Sequence, residues 1–214
     1  MLKIETYEPY HIGIKLTNAL ALPAFRKRVI SALSEQTDFV VSVVAFDGLS
    51  PNDVIATIND VRIEINYQSQ ALNVIGDEPE TTTTVFKKLL DILESLDYEL
   101  DNTLVVFYEI LSNVLVNVDE DYSKVLTNSV SCDLNGFKEL NSNVKISTVK
   151  IDFVDKESGN EALDLVIGSN QVRPKTSMIV GIKYRTSDKV KTLDFCDKIE
   201  ERVLTLLKSF GSKT

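Results

Sequence analysis

Two stretches decide the fold: KKLLDILESL at residues 87–96 and ERVLTLLKSF at residues 201–210. Laid over each other, they put apolar side chains in the same places. Leu89, Leu90, Ile92, Leu93 and Leu96 fall on Val203, Leu204, Leu206, Leu207 and Phe210. Apolar residues recurring three and four apart form the buried stripe of an amphipathic helix. In the first stretch Val85 and Phe86 widen that stripe, so the helix must bury much of its surface against a sheet or another helix.

The correspondence continues upstream. VRIEINY ends at Tyr67 and MIVGIKY ends at Tyr184, and each alternates apolar with polar residues as a half-buried strand does. Val61, Ile63, Ile65 and Tyr67 share one face; Met178, Val180, Ile182 and Tyr184 share the other repeat's face. The chain therefore reads as two halves, residues 1–101 and 102–214, forming one continuous structural domain, since no Pro/Gly-rich linker separates Leu96 from Thr103. The first half opens with a strand around Ile4–Leu16. Pro9 and Gly13 interrupt it, which predicts an edge strand or a bulged one. A helix follows from about Leu22 to Glu35, with Pro23 in its first turn. Strands follow near Phe39–Phe46, Asp53–Ile58 and Val61–Tyr67, then a helix at Thr83–Leu96. The second half opens with the β-rich run Thr103–Val118. A short helix is expected over Asp121–Ser131, capped by Asp121. SCDLNGFKELNSN reads as loop, strands follow near Val144–Val154, Ala162–Gly168 and Ser177–Arg185, and the last helix closes the chain. Each half is thus strand, helix, three strands, helix. The expected class is α+β, an antiparallel sheet with helices on one face, with Tyr67 equivalent to Tyr184 and Leu96 to Phe210.

This order resembles the two-half pattern of TATA-binding-protein-like folds, where a curved antiparallel sheet carries long helices on one face. The resemblance is one of element order alone, with no family motif behind it, so it implies a fold and transfers no function. The alternative is a Bet v 1-like helix-grip fold, rich in strands with one long C-terminal helix; the strong mid-chain helix at Thr83–Leu96 fits it badly.

Composition narrows the function classes. With 214 residues the chain is long enough to bury a real core. Its longest apolar runs, such as FVVSVVAF at Phe39–Phe46, fall far short of the ~20 residues that span a bilayer. MLKIETYEPY lacks the apolar core of a secretory signal. Together with only two cysteines, Cys132 and Cys196, this leads us to expect a cytoplasmic protein with reduced thiols and no membrane association. The net charge is −9 and uneven: residues 1–101 hold 16 acids against 8 bases, and residues 102–214 hold 16 against 15. An acidic first half opposes binding to a polyanion, so general nucleic-acid binding is not expected.

Motifs of catalysis are missing from the sequence. There is no phosphate-cradling G-x-x-x-x-G-K-[ST] or G-x-G-x-x-G and no G-x-S-x-G turn. The single histidine, His11, has no sequence partner that marks it as a base, and a structural or solvent-facing role is expected. Acids gather at Asp97/Glu99/Asp101, Asp119/Glu120/Asp121 and Asp155/Glu157/Glu161. Counted as calcium loops, they put Asn102, Lys124 and Asn160 where glycine is required, so no metal site or other cofactor is expected. Cys196 falls on a stripe with Ile199, Val203, Leu206 and Phe210, which points to core packing.

Two features remain as candidate ligand- or partner-binding sites. One is the pair of strand-end tyrosines, Tyr67 and Tyr184. The other is the basic stretch holding Arg173, Lys175, Lys183 and Arg185, continued by Lys189 and Lys191 against a single acid, Asp188. Such a patch suits an acidic partner or an oligonucleotide backbone; the plainer reading is an exposed strand face that charge protects from edge pairing. The function expected is a non-enzymatic protein-interaction or assembly protein, with a homo-oligomer or a protein partner. The alternatives are a binder of an apolar small molecule between sheet and helices, and an enzyme with a dispersed carboxylate/tyrosine site.

Overall fold

The computed structural model describes residues 2–42, 52–98, 100, 104–119, 122, 126–127, 146–155, 159–173 and 175–211. Among them the chain runs β1 (Lys3–Leu16), α1 (Pro23–Ser34), β2 (Val40–Val41), β3 (Asn52–Ile58), β4 (Val61–Asn66), β5 (Ala71–Gly76) and α2 (Pro79–Ser95). It continues with β6 (Val105–Asn117), β7 (Thr148–Val154), β8 (Glu161–Ser169), β9 (Ser177–Thr186), α3 (Lys189–Asp197) and α4 (Ile199–Gly211). The nine strands make one antiparallel sheet in the order β2-β3-β4-β5-β1-β6-β9-β8-β7. The protein is therefore mixed α+β, and the elements given above are one large antiparallel sheet and four helices among the described residues. No helix among the described residues is long and apolar enough to cross a membrane.

Local chemistry explains the elements. Asn59 and Asp60 both take positive φ, 47° and 64°, the backbone that a two-residue hairpin turn between β3 and β4 demands. Proline opens α1 and α2, where the missing N–H would have no partner anyway. Asp188 caps α3, its side chain accepting from the Val190 and Lys191 amides at 2.7 and 3.1 Å. Strict alternation builds the buried face: Tyr10, Ile12, Ile14 and Leu16 on β1, Tyr108, Ile110, Val114 and Val116 on β6, Met178, Val180, Ile182 and Tyr184 on β9. These side chains join Phe86, Leu89, Leu93, Phe195, Val203 and Leu207 of the helices in one core.

Several expectations need correction. β1 is not an edge strand; it lies between β5 and β6 at the centre of the sheet. Pro9 is accommodated by a bulge, since the β1–β6 register shifts between Glu8 and His11. β5 was not anticipated: ALNVIG is buried on both faces and so lacks the alternation that marks its neighbours. Tyr67 and Tyr184 are not in equivalent places. Tyr67 follows β4, which is separated from the central β1 by β5, whereas Tyr184 belongs to β9, directly beside β6. The final helix is two, α3 and α4, broken at Lys198. Beyond Ser42 the expected strand to Phe46 lies outside the described residues, as do most of the Asp121–Ser131 helix, the loop after it, and Cys132. Tyr122 and Leu126, from that helix, are buried.

The helices bridge the centre of the sheet. α2 lies over β1 and β5 and touches α3, which lies over β6 and β9. Phe86 of α2 meets the Tyr108 ring of β6 edge-on at 6.4 Å. Reciprocally, Tyr10 of β1 lies beside Cys196 of α3. Leu93 and Leu207 are 0% and 1% exposed. Leu93→Ala and Leu207→Ala should each cost about 2–5 kcal/mol through lost packing and a residual cavity. Because residues of both halves share this core, calorimetry should show one transition, shifted down in both variants; a melt split in two would mean that the halves unfold separately.

Candidate functional site

The candidate residues do not converge. The Tyr67 hydroxyl donates to Asp53 Oδ2 at 2.6 Å, and the Arg26 guanidinium lies 5.6 Å from its ring centre. Burial, then the Asp53 carboxylate, raise the Tyr67 phenol above its ordinary range. Tyr184 is buried in the other half of the sheet. Its hydroxyl donates to Glu161 Oε1 at 2.7 Å, and its ring stacks on Phe195 at 4.0 Å and 7°. Burial, then Glu161, raise its phenol too. Both tyrosines remain protonated donors at neutral pH, each holding a carboxylate.

The basic stretch is largely neutralised. Arg173 clasps Glu5 with both terminal nitrogens at 3.1–3.3 Å. Arg185 ion-pairs with Glu109, which also lies 3.9 Å from Lys183. Lys189 pairs with Glu94, and Lys191 with Glu161 at 2.6 Å. Lys175 stands exposed in the turn before β9. The sequence could not reveal these pairings, since every acid but Glu161 comes from more than 70 residues away in the chain. Nor is the strand face one of an edge: β9 lies between β6 and β8.

No protein-family model matches the chain, and none of the curated proteins matches it. The site must therefore be built from geometry alone.

A broad surface among the described residues is the face of the sheet turned away from the helices. Cross-strand register lays its side chains in rows. One runs Asp152, Asp164, Lys183, Leu111, His11, Ile75 and Arg62; the next runs Arg185, Glu109, Gly13, Asn73 and Glu64. Acids and bases are mixed along them, Asp152 beside Asp164 at one end and Lys183 and Arg185 beside Asp164 and Glu109, with Phe107, Leu115, Val166 and Ile179 interspersed. Val166 and Ile179 are 38% and 41% exposed. Arg185 also covers the Phe107 ring at 4.7 Å. At the middle, Gly181 stands between Val166 and Asn113 without a side chain. A cleft of about 490 Å3 results, walled by Leu111, Val166, Lys150, Asp164, Lys183 and His11. The His11 Nε2 atom is buried without a hydrogen-bond partner, about 3.3 Å from where a Cβ on Gly13 would sit. Sequence reading missed this cleft because Gly181, though within an expected strand, shows what its missing side chain leaves open only once β6 and β8 are placed on either side.

A second concavity lies between the outer strands and the C-terminal helices. Two adjoining clefts of about 400 and 370 Å3 share Leu163, Phe195, Arg202 and Leu206, with Phe153 and Tyr184 at one end. Arg202 lies over the Phe195 ring at 5.1 Å and bonds Asp194 at 2.6 Å, leaving its Nε buried and unpartnered. No group of three or more potential metal ligands occurs among the described residues. Cys196 is a free, buried thiol, pushed up to about 11 chiefly by burial, so it stays protonated at neutral pH.

The Glu161 carboxyl is held below the usual carboxylate range, first by the hydrogen bond from Lys191 and then by that from Tyr184. A group whose pKa falls on folding stabilises the fold above its unfolded value of about 4.3, and that contribution vanishes as pH drops through the folded value. Lys191→Met should therefore lower stability at pH 7 only slightly, since the pair is solvent-screened. The two proteins should converge in urea melts near pH 3. A deficit that persists in acid would assign the effect to packing of the lysine stem.

Proposed function

We propose that this chain is a duplicated α+β interaction protein that docks a protein partner on the helix-free face of its sheet. The observation that carries the reading is the cleft over Gly181, with apolar walls set among opposite charges already paired across the strands. A surface of balanced charge gives a polyanion no gain from counterion release. It suits a partner surface that is itself mixed, apolar at its centre and polar at its rim. The buried protonated thiol and the dispersed acids and tyrosines favour binding over catalysis. A free Cys196 accords with a cytoplasmic setting.

Duplication and the TATA-binding-protein-like order are supported by the way the strands count outward from the centre. β1, β5, β4 and β3 on one side mirror β6, β9, β8 and β7 on the other. Two residues separate β5 from α2, and two separate β9 from α3. Counted from these junctions, Thr82, Val85, Phe86, Leu89 and Leu93 correspond to Thr192, Phe195, Cys196, Ile199 and Val203, and all ten are buried. This register is one helical turn away from the match of the apolar decapeptides.

A second reading rests on the paired clefts beside α4: an apolar small molecule with a polar end, seated between Leu163 and Leu206 and met by Arg202. Their size is at the low end of ligand pockets, about 300–1,000 Å3.

Gly181→Val tests the main reading. A Cβ there meets Asn113 and Val166 at 3.4–3.5 Å, ordinary contact, so the variant should fold while filling the cleft. A partner captured by the wild type and reconstituted pure should bind Gly181→Val about tenfold or more weakly, a loss of about 1.4 kcal/mol or more. It should bind Val190→Ala, altered on the exposed surface of α3, unchanged. Equal binding to both would remove the helix-free face from the interaction.

A further inference from the structure

The two edges of the sheet are unlike. β2 is two residues long and offers little to pair with. β7 is seven residues long, contains neither Pro nor Gly, and has nothing paired to its outer side among the described residues. Which of its backbone groups point outward can be worked out. The Ser147 carbonyl accepts from Ser169, and the Asp155 amide donates to Glu161, so odd-numbered residues turn their backbone toward β8. Thr148, Lys150, Asp152 and Val154 therefore turn their N–H and C=O groups away from the sheet. Their side chains lie on the helix-free face, while Val149 and Ile151 pack toward the core.

We propose that a second copy of this chain docks on that edge, β7 pairing antiparallel with β7 of the partner about a twofold axis at Ile151. A twofold contact must be self-complementary, and here charge selects the register. Centring on Ile151 sets Lys150 opposite the other copy's Asp152, twice by symmetry. Centring one residue to either side sets Lys150 against Lys150 or Asp152 against Asp152, which is repulsive. Of these three registers, the Ile151 one alone avoids that conflict, and it overlaps the whole of β7. Within one chain Lys150 and Asp152 already bond at 2.9 Å and are 59% and 53% exposed, so both stand ready to exchange partners. The same register puts Val149 opposite Phe153 and Thr148 opposite Val154. That covers two apolar residues left 46% and 59% exposed at this end of the sheet. The two nine-stranded sheets then become one continuous sheet, with the Gly181 clefts of both copies on the same surface. The contact does not depend on what that surface binds.

Sedimentation velocity of the full chain over a concentration series tests this. The wild type should be a dimer at high micromolar concentration. Lys150→Asp and Asp152→Lys should each weaken self-association about tenfold or more, since each places like charges opposite at two symmetric positions. The double exchange Lys150→Asp/Asp152→Lys should restore the dimer, and mixing the two single variants should give a heterodimer. Formation of that heterodimer also shows that the single variants had folded. A wild type monomeric throughout overturns the proposal, as does a dimer indifferent to the single changes or one that the double exchange fails to restore. None of these outcomes bears on partner binding by Gly181→Val, so the two ideas fail separately.

Discussion

The pairing of β1 with β6 is the constraint from which the rest of the molecule follows. These two strands, from opposite halves of the chain, run side by side from Lys3↔Asn117 to Leu16↔Val105 and join two half-sheets into one. Every other sheet neighbour lies outside this pair. Closing it brings together segments about a hundred residues apart, an entropic cost that contacts on one strand pair alone meet poorly. The structure offsets that cost with a shared layer above the pair: Tyr10 and Tyr108 are 0% and 1% exposed, and each is covered from the helix layer by a residue of the opposite half. Two separate small domains would leave both tyrosines wet.

That covering layer also carries buried polar groups. The hydroxyls of Tyr10 and Thr83 are buried beside the Cys196 thiol, and that of Thr82 is buried without a hydrogen-bond partner. Burial raises the Tyr10 phenol and the Cys196 thiol, so both remain neutral. A neutral group is far cheaper to bury than a charged one, yet an unpaired hydroxyl still costs about 1–3 kcal/mol. The abundant apolar packing of α2 and α3 around them is what makes such a deficit tolerable.

The apolar period of Val85–Leu96 and the alternation of Val61–Asn66 and Ser177–Thr186 made α2, β4 and β9 legible from sequence, because these elements each bury one face only. ALNVIG failed because β5 buries both. KKLLDILESL and ERVLTLLKSF matched, but a wide apolar stripe matches itself after one turn, so periodicity could not choose between registers; only the strand–helix junctions at Gly76–Pro79 and Thr186–Lys189 do so. Pro9 signalled an irregular strand and the structure supplied the bulge, but its place at the centre depends on β6, far away in the chain. Of the candidate site, the residue types were readable and their partners were not. Glu5, Glu94 and Glu109 neutralise Arg173, Lys189 and Arg185 across distances that no local pattern encodes.

The distribution of charge separates the two surfaces of the protein. The acidic surplus gathers at one end of the helix layer, where Glu5, Glu8, Asp77, Glu78, Glu80 and Glu200 line a single open cleft beside the start of α2. Acids there face the positive end of the helix dipole, so they are tolerated where they crowd. The helix-free face has the opposite character: Glu64, Glu109, Asp152 and Asp164 stand among Lys15, Arg62, Lys150, Lys183 and Arg185. Long-range repulsion from a net charge of −9 keeps copies apart in most orientations. It weakens for approaches that bring the balanced face or the Lys150/Asp152 edge forward. A molecule divided in this way discourages random aggregation while leaving its neutral surfaces open to specific contact. That asymmetry ties the open cleft over Gly181 and the edge of β7, unpaired among the described residues, to one physical cause.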